Sequence, residues 1–178
     1  MKTITISLTG HRPDKLAGYN LNNDFYQKLY KSLTKVLEKY IPDFDLIRCH
    51  SGMALGADTV WAYAIYNAKK KYGNQIEFTA DIPCTTQSTK WSKIDRKIYE
   101  YLLTKVDRKI VYSSIYYPYV MDIRNQGMIN PCDILIAVYN GDRFGGTYNA
   151  VSYAQEHRKK IIYVNPNEIG GNHGSILG

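Results

Sequence analysis

Cysteine is scarce in this 178-residue chain: there are three, Cys49, Cys84 and Cys132, and none forms a CxxC pair. Residues so few and so scattered build neither a disulfide framework nor a zinc site. They read as small buried apolar groups in a protein of the reducing cytoplasm. Long hydrophobic runs are missing too, and nothing approaches the roughly 18 apolar residues that a membrane span requires. The N-terminal MKTITISLTGHRPDKL has no apolar signal core and reads directly as a strand. No Walker A lysine, HExxH, GxSxG or kinase signature is present. His11, His50, His157 and His173 show no metal-ligand spacing, so no metal is expected. His157 reads as a solvated helix-end residue, and His173 falls in a terminal tail.

What is present is an ordinary globular composition, 44% hydrophobic and 22% charged, at a single-domain length. The formal charge is +7, from 23 basic and 16 acidic residues, with a pI near 9.2. That balance favours anionic partners such as nucleotides, nucleic acid or phosphorylated metabolites. Only short basic clusters occur, Lys69-Lys70-Lys71 and Arg158-Lys159-Lys160, so a plain solvated surface and a polyanion-binding face both stay open.

Strand and helix signals alternate from end to end. Short apolar, β-branched runs at Thr3–Leu8, Asp45–His50, Ile76–Asp81, Arg108–Tyr112, Asp133–Tyr139 and Lys160–Val164 read as strands buried on both faces. Between them, Asp24–Tyr40 repeats apolar residues at three- and four-residue spacings. Asp58–Tyr72, Thr89–Thr104, a turn or helix around Tyr119–Ile129, and Thr147–His157 follow the same pattern. Such alternation predicts an α/β fold: one Rossmann-like, doubly wound, mainly parallel sheet of about six strands with helices on both faces. The domain is expected over residues 1–166, with a Gly-rich tail over 167–178.

An open sheet of this kind binds its ligand beyond the carboxyl ends of its strands, so residues that follow strands carry the chemistry. After the first strand, Gly10 permits a tight turn and His11 and Arg12 offer donors to a phosphate or carboxylate. After the second, Ser51, Gly52, Gly56 and Asp58 form a Gly-punctuated loop that feeds a helix. There free N–H groups and the helix dipole suit an anion, or else Asp58 simply caps the helix. Trp91 sits early in the next predicted helix, either as a stacking face for a base or as a core anchor. Arg124 and Asn125, among tyrosines, suit a phosphate with a ribose or base, or a structural arginine bridging to an acidic neighbour. Gly145, Gly146 and Thr147 form a second Gly-rich strand–loop–helix element, in which Thr147 can cap the helix while touching a phosphate.

Taken in order, LTGHRPDKLAGY, SGMALGAD, PCTTQSTKW, RNQGM and AVYNGDRFGGTYNA resemble the YpsA-like branch of the SLOG superfamily, to about Pro166. The resemblance implies a Rossmann-like fold that binds a nucleotide or nucleotide-derived ligand at the two Gly-rich loops. Some SLOG proteins sense ADP-ribose-like or NAD-derived signals in bacterial stress and phage defence. Related LOG proteins are phosphoribohydrolases with a PGGxGTxxE loop. Here Ala150 stands where that glutamate would be, leaving Asp58 or Asp81 as the carboxylate to consider. SGMALGAD also resembles the SGxARGxD loop of DprA-type proteins that bind single-stranded DNA, with Leu55 in place of the arginine.

Three functions follow as expectations. The first is a module that senses or sequesters an ADP-ribose- or NAD-related molecule, without a further cofactor. The second is a nucleotide N-glycosidase with Asp58 as the catalytic candidate, and the third is a binder of single-stranded nucleic acid. From the LOG-like relatives a homo-oligomer is expected, and no membrane partner is.

Overall fold

The opening run TITISL, extended by Thr9 and Gly10, forms strand β1 (Thr3–Gly10) in a computed structural model that describes residues 1–169. The other runs give β2 (Leu46–Ser51), β3 (Ile76–Ile82), β4 (Arg108–Val111), β5 (Ile134–Val138) and β6 (Lys160–Val164). All pair in parallel, in the order β4-β3-β2-β1-β5-β6. The connecting helices are α1 (Asp24–Glu38), α2 (Ala57–Tyr72), α3 (Lys93–Leu103), α4 (Val120–Ile129) and α5 (Gly146–Glu156). The expected α/β fold, a six-stranded doubly wound sheet, is therefore the one observed.

Side-chain alternation along β5 shows why both faces carry helices. Ile134, Ile136 and Val138 join the main core with Leu29 and Leu33 of α1 and Ala64 and Ile65 of α2. Leu135 points the other way, into a smaller cluster with Ile129 of α4 and Ala150 and Ala154 of α5. Trp61, on α2, is fully buried, and its Nε1 donates to the His50 carbonyl at 3.0 Å.

Burial on both faces holds for β5 and, Glu77 apart, for β3, but on the β2–β4 side one face is lined by polar side chains. There Arg48 and His50 alternate with core residues, as do Glu77, Thr79 and Asp81, and β4 is mostly exposed. The helices account for the difference. Three of them, α1 to α3, pack on one face, whereas α5 lies over β1, β5 and β6 and α4 beside it packs mainly on β1 and β3. The rest of that face stays polar, with Arg48 and Arg108 on Glu77 at 3.5 and 3.9 Å.

Two boundaries differ from expectation. α3 starts at Lys93 rather than Thr89, because the Ser92 hydroxyl accepts the Asp95 N–H and caps the helix there. At the C-terminal side, Pro166–Ile169 forms a short helix, α6, and Ile169 packs on the core, so ordered structure runs past Pro166. The remainder of the predicted tail, with His173, lies outside the described residues. Among the described residues no helix is long and apolar enough to cross a membrane.

Candidate functional site

The chain runs outward from β1 through β2 and β3 to β4, then returns to place β5 on the other side of β1. Strand order thus reverses between β1 and β5, and a crevice opens beyond their carboxyl ends. A cleft of about 360 Å³ occupies that position. Gly10 and Arg12 line it from the end of β1, Asp58 from α2, Asp122, Arg124 and Asn125 from α4, and Gly146, Thr147 and Asn149 from α5.

Gly10 is required here for packing. A Cβ at this position would meet the Ala57 Cβ at 2.4 Å and the Val138 Cβ at 2.9 Å, so glycine lets the start of α2 approach the end of β1. The two lips of the cleft are tied together. His11 Nε2 lies 2.7 Å from Asn140 Oδ1, and Lys15 Nζ lies 2.6 Å from Asp142 Oδ2. His11 is buried against Tyr139, and burial lowers its pKa. It fixes the two loops rather than facing the cleft. Arg12, by contrast, is exposed, and among the described residues it forms no ion pair.

The β2–α2 loop is occupied by its own side chains. Ser51 is buried and donates to the Asp58 carbonyl at 3.1 Å, while its Oγ accepts the Met53 N–H at 3.2 Å. Asp58 Oδ2 accepts the Ala54 N–H at 3.2 Å. Gly52 lies under Arg124, whose Nη1 donates to the Gly52 carbonyl and, at 3.3 Å, to that of Asp81. A Cβ at Gly52 would stand 2.0 Å from that nitrogen and 2.7 Å from Asp58 Oδ2. Gly56 packs on the backbone of His11 and Arg12. Ser51, Gly52 and Gly56 thus hold the loop behind the cleft rather than lining it, and this loop is not an open cradle of N–H groups.

Asp58 lines the cleft yet is only 6% exposed. Burial pushes its carboxyl above the usual carboxylate range, with the nearby Arg124 charge and the Ala54 N–H pulling the other way. It is the second residue of α2 and caps nothing through its side chain, since Gly56 holds the N-cap position. Asp81 is fully buried away from the cleft, bonded to His50 Nδ1 at 2.8 Å and accepting the Tyr112 hydroxyl at 2.9 Å.

At α5 the arrangement differs. Gly145 is the N-cap with φ near 95° and no side-chain cap, and nothing lies within 4 Å of a Cβ built at Gly145 or Gly146. The first turn of α5 thus has no side-chain cap, and its Gly146 and Thr147 border the cleft, the arrangement that suits an anion. Thr147 lines the cleft without capping the helix. Trp91 is not in the cleft. It precedes α3, lies half-buried edge-on to Tyr99 at 5.2 Å, and faces Met53 and Leu55 across a small apolar pocket. Asp122 and Asn149 went unnoticed in the sequence, although Asp122 is one helical turn before Asn125 and Asn149 one turn after Gly146.

A doubly wound parallel sheet with a polar cleft at its switch point makes this a Rossmann-like α/β protein. The chain belongs to the YspA SLOG family, which it matches over residues 6–169. It is 27% identical over 148 residues to the uncharacterized SPbeta prophage-derived protein YoqJ of Bacillus subtilis (strain 168), an overlap of 76% of this chain and 85% of that protein. UPF0398 proteins of Bacillus cereus (strain AH820) and Bacillus thuringiensis (strain Al Hakam) are each 24% identical over 156 residues, 85% of this chain and 82% of theirs. The family resemblance carried by the sequence motifs is thus established, to the level of the SLOG family.

Proposed function

We propose that this protein binds a nucleotide or nucleotide-derived small molecule, of the ADP-ribose- or NAD-related kind, as a sensing or sequestering module. The observation that carries this reading is the uncapped start of α5, opening at Gly145–Gly146 on the cleft that the exposed Arg12, without an ion pair among the described residues, also lines. A phosphate there would accept backbone N–H bonds and a charge-assisted bond from Arg12. Asp122, Asn125 and Asn149 supply acceptors and donors suited to ribose hydroxyls or a base edge. Arg124 supports the site from behind, through the Gly52 carbonyl.

A second reading, cleavage of an N-glycosidic bond, has Asp58 in its favour: a buried carboxyl, shifted towards its protonated form, lines the same cleft. Calorimetric titration with ADP-ribose, NAD and AMP, with mass spectrometry of the recovered ligand, separates the two. Saturable binding with the ligand returned intact supports the module, and released free base supports the enzyme. Gly146→Val fills open space without a clash, so the variant keeps its melting temperature and loses binding. Wild-type affinity in that variant refutes the α5 phosphate site.

A further inference from the structure

On the other side of the β2–α2 loop a larger concavity, about 660 Å³, runs between helices. α2 packs against both α1 and α3 and contributes Val60 and Tyr63; α1 presents Tyr30 and Lys31, and α3 presents Ile94 and Ile98. Tyr19 and Leu21, from the β1–α1 connection, line it as well. The groove exists because α3 buries little of itself. Leu102 is its one fully buried residue, and Ile94 remains 72% exposed on a helix that otherwise carries charge outward. A concave, mainly apolar and aromatic volume of this size falls within the range of small-molecule sites, roughly 300–1,000 Å³.

Beside the neutral amides of Asn20, Asn22 and Gln27, the titratable groups around the groove lean towards donors. Asn67 Nδ2 donates to the Tyr30 hydroxyl at 2.9 Å, which leaves the Tyr30 proton free to be donated. Burial raises the Tyr63 pKa and so keeps that phenol a donor as well. Lys31 is exposed, and among the described residues it has no ion-pair partner. The carboxylate lining the groove, Asp95, is already engaged: its Oδ2 accepts the Ser92 hydroxyl at 2.7 Å, at the favourable end of the α3 dipole. Flat tyrosine surfaces, an exposed isoleucine, phenol donors and a lysine unpaired among the described residues together select a ligand with an aromatic body and an anionic head.

We propose that the α1–α2–α3 groove is a second ligand site, separate from the switch-point cleft, that takes a planar aromatic anion. The inference does not depend on what the cleft binds.

The test uses two fluorescent probes on the full chain: 8-anilinonaphthalene-1-sulfonate, and N-phenyl-1-naphthylamine, which has the same rings without the charge. The sulfonate binds at one saturable site and more tightly than the neutral probe. Lys31→Ala weakens the sulfonate by about two- to fivefold, as expected for a partly exposed ion pair, and leaves the neutral probe unchanged. Ile94→Asp weakens both at least tenfold, and Gly146→Val in the cleft changes neither. Lys31 and Ile94 are exposed side chains, so both variants keep the wild-type melting temperature. Equal or tighter binding of the neutral probe overturns the anion assignment. Binding that does not saturate, or that ignores Ile94→Asp, overturns the site itself.

Discussion

Arg124 shows how a residue chosen for its chemistry serves the chain first. Its Nε donates to Asn125 Oδ1 at 2.9 Å, its Nη1 is taken by two carbonyls, and only 5% of it is exposed. The sequence offered a ligand contact or a structural bridge, and the residue combines a cleft-lining position with the second role. Its partners are two backbone oxygens and the Asn125 amide oxygen rather than the acidic neighbour of that alternative. Carbonyl partners 43 and 72 residues away leave no mark in a linear pattern. Gly52 was legible as special, but the cause is the guanidinium above it rather than a phosphate. Asp58 carries a testable consequence. Because its folded-state pKa is raised by burial, the folded protein holds that proton more tightly than the unfolded chain does. The stabilisation is complete below the ordinary carboxylate value near 3.8 and is lost as pH rises through the folded value. Urea unfolding of wild type and Asp58→Asn between pH 4 and 7 should therefore diverge in slope, by at most about 1.4 kcal/mol per pH unit. The wild type should lose stability relative to the variant as pH rises; parallel curves mean that Asp58 is ionised at no cost.

The helices divide by how they begin. Asn23 caps α1 by accepting the Tyr26 N–H at 3.0 Å, and its Nδ2 donates to the Ala17 carbonyl at 3.1 Å. Ser92 caps α3 in the same way. α2 and α5 start from Gly56 and Gly145, and α4 from Tyr119, with no side-chain cap, and the first turns of these three helices line the cleft. In α2 the Asp58 carboxyl turns back on the preceding loop to accept the Ala54 N–H, whereas the first turn of α5 has no side-chain cap. This contrast predicts that Asn23→Ala costs about 1 kcal/mol, a loss of roughly 2–4 °C in melting temperature for a domain of this size. Ligand affinity at the cleft stays as in wild type, because the cap stabilises an element outside it. A fall in affinity with unchanged stability contradicts the division. The sequence showed all six strands, since β-branched runs between turn formers have few other uses. Burial of both faces holds for β3, Glu77 apart, and for the end of β2, but on one face it is polar side chains that are buried. The polar alternation of Arg48 with His50, and of Glu77 with Thr79 and Asp81, was visible, but which helices cover which face is decided by the return crossover to β5. The α1–α2–α3 groove was hidden for the same reason, because its walls come from three separate stretches of chain.

Across the molecule the +7 charge is less concentrated than its basic runs suggest. The Lys69-Lys70-Lys71 cluster divides, with Lys69 on Asp107 and Lys71 on Glu38 at 2.8 Å. In the second run, Lys159 donates to the carbonyls of Asn130 at 2.7 Å and Cys132 at 3.0 Å. Ion pairs and carbonyl contacts therefore take up cations that would otherwise line a backbone-tracking groove, and the β2–α2 loop has few N–H groups left for a phosphate chain. Binding of a small nucleotide in the cleft, using Arg12 and α5, should respond to salt weakly. Between 50 and 200 mM NaCl its affinity should change by no more than about fivefold, since one or two charges are screened over a short distance. A single strand held through six phosphates would lose about 10²–10³-fold over the same range. Titrating ADP-ribose and an oligothymidylate across that range decides between the two. A shallow response to ADP-ribose, with negligible oligonucleotide affinity, fits a closed cleft for one nucleotide. A steep response confined to the oligonucleotide assigns the positive surface, rather than the switch point, to function.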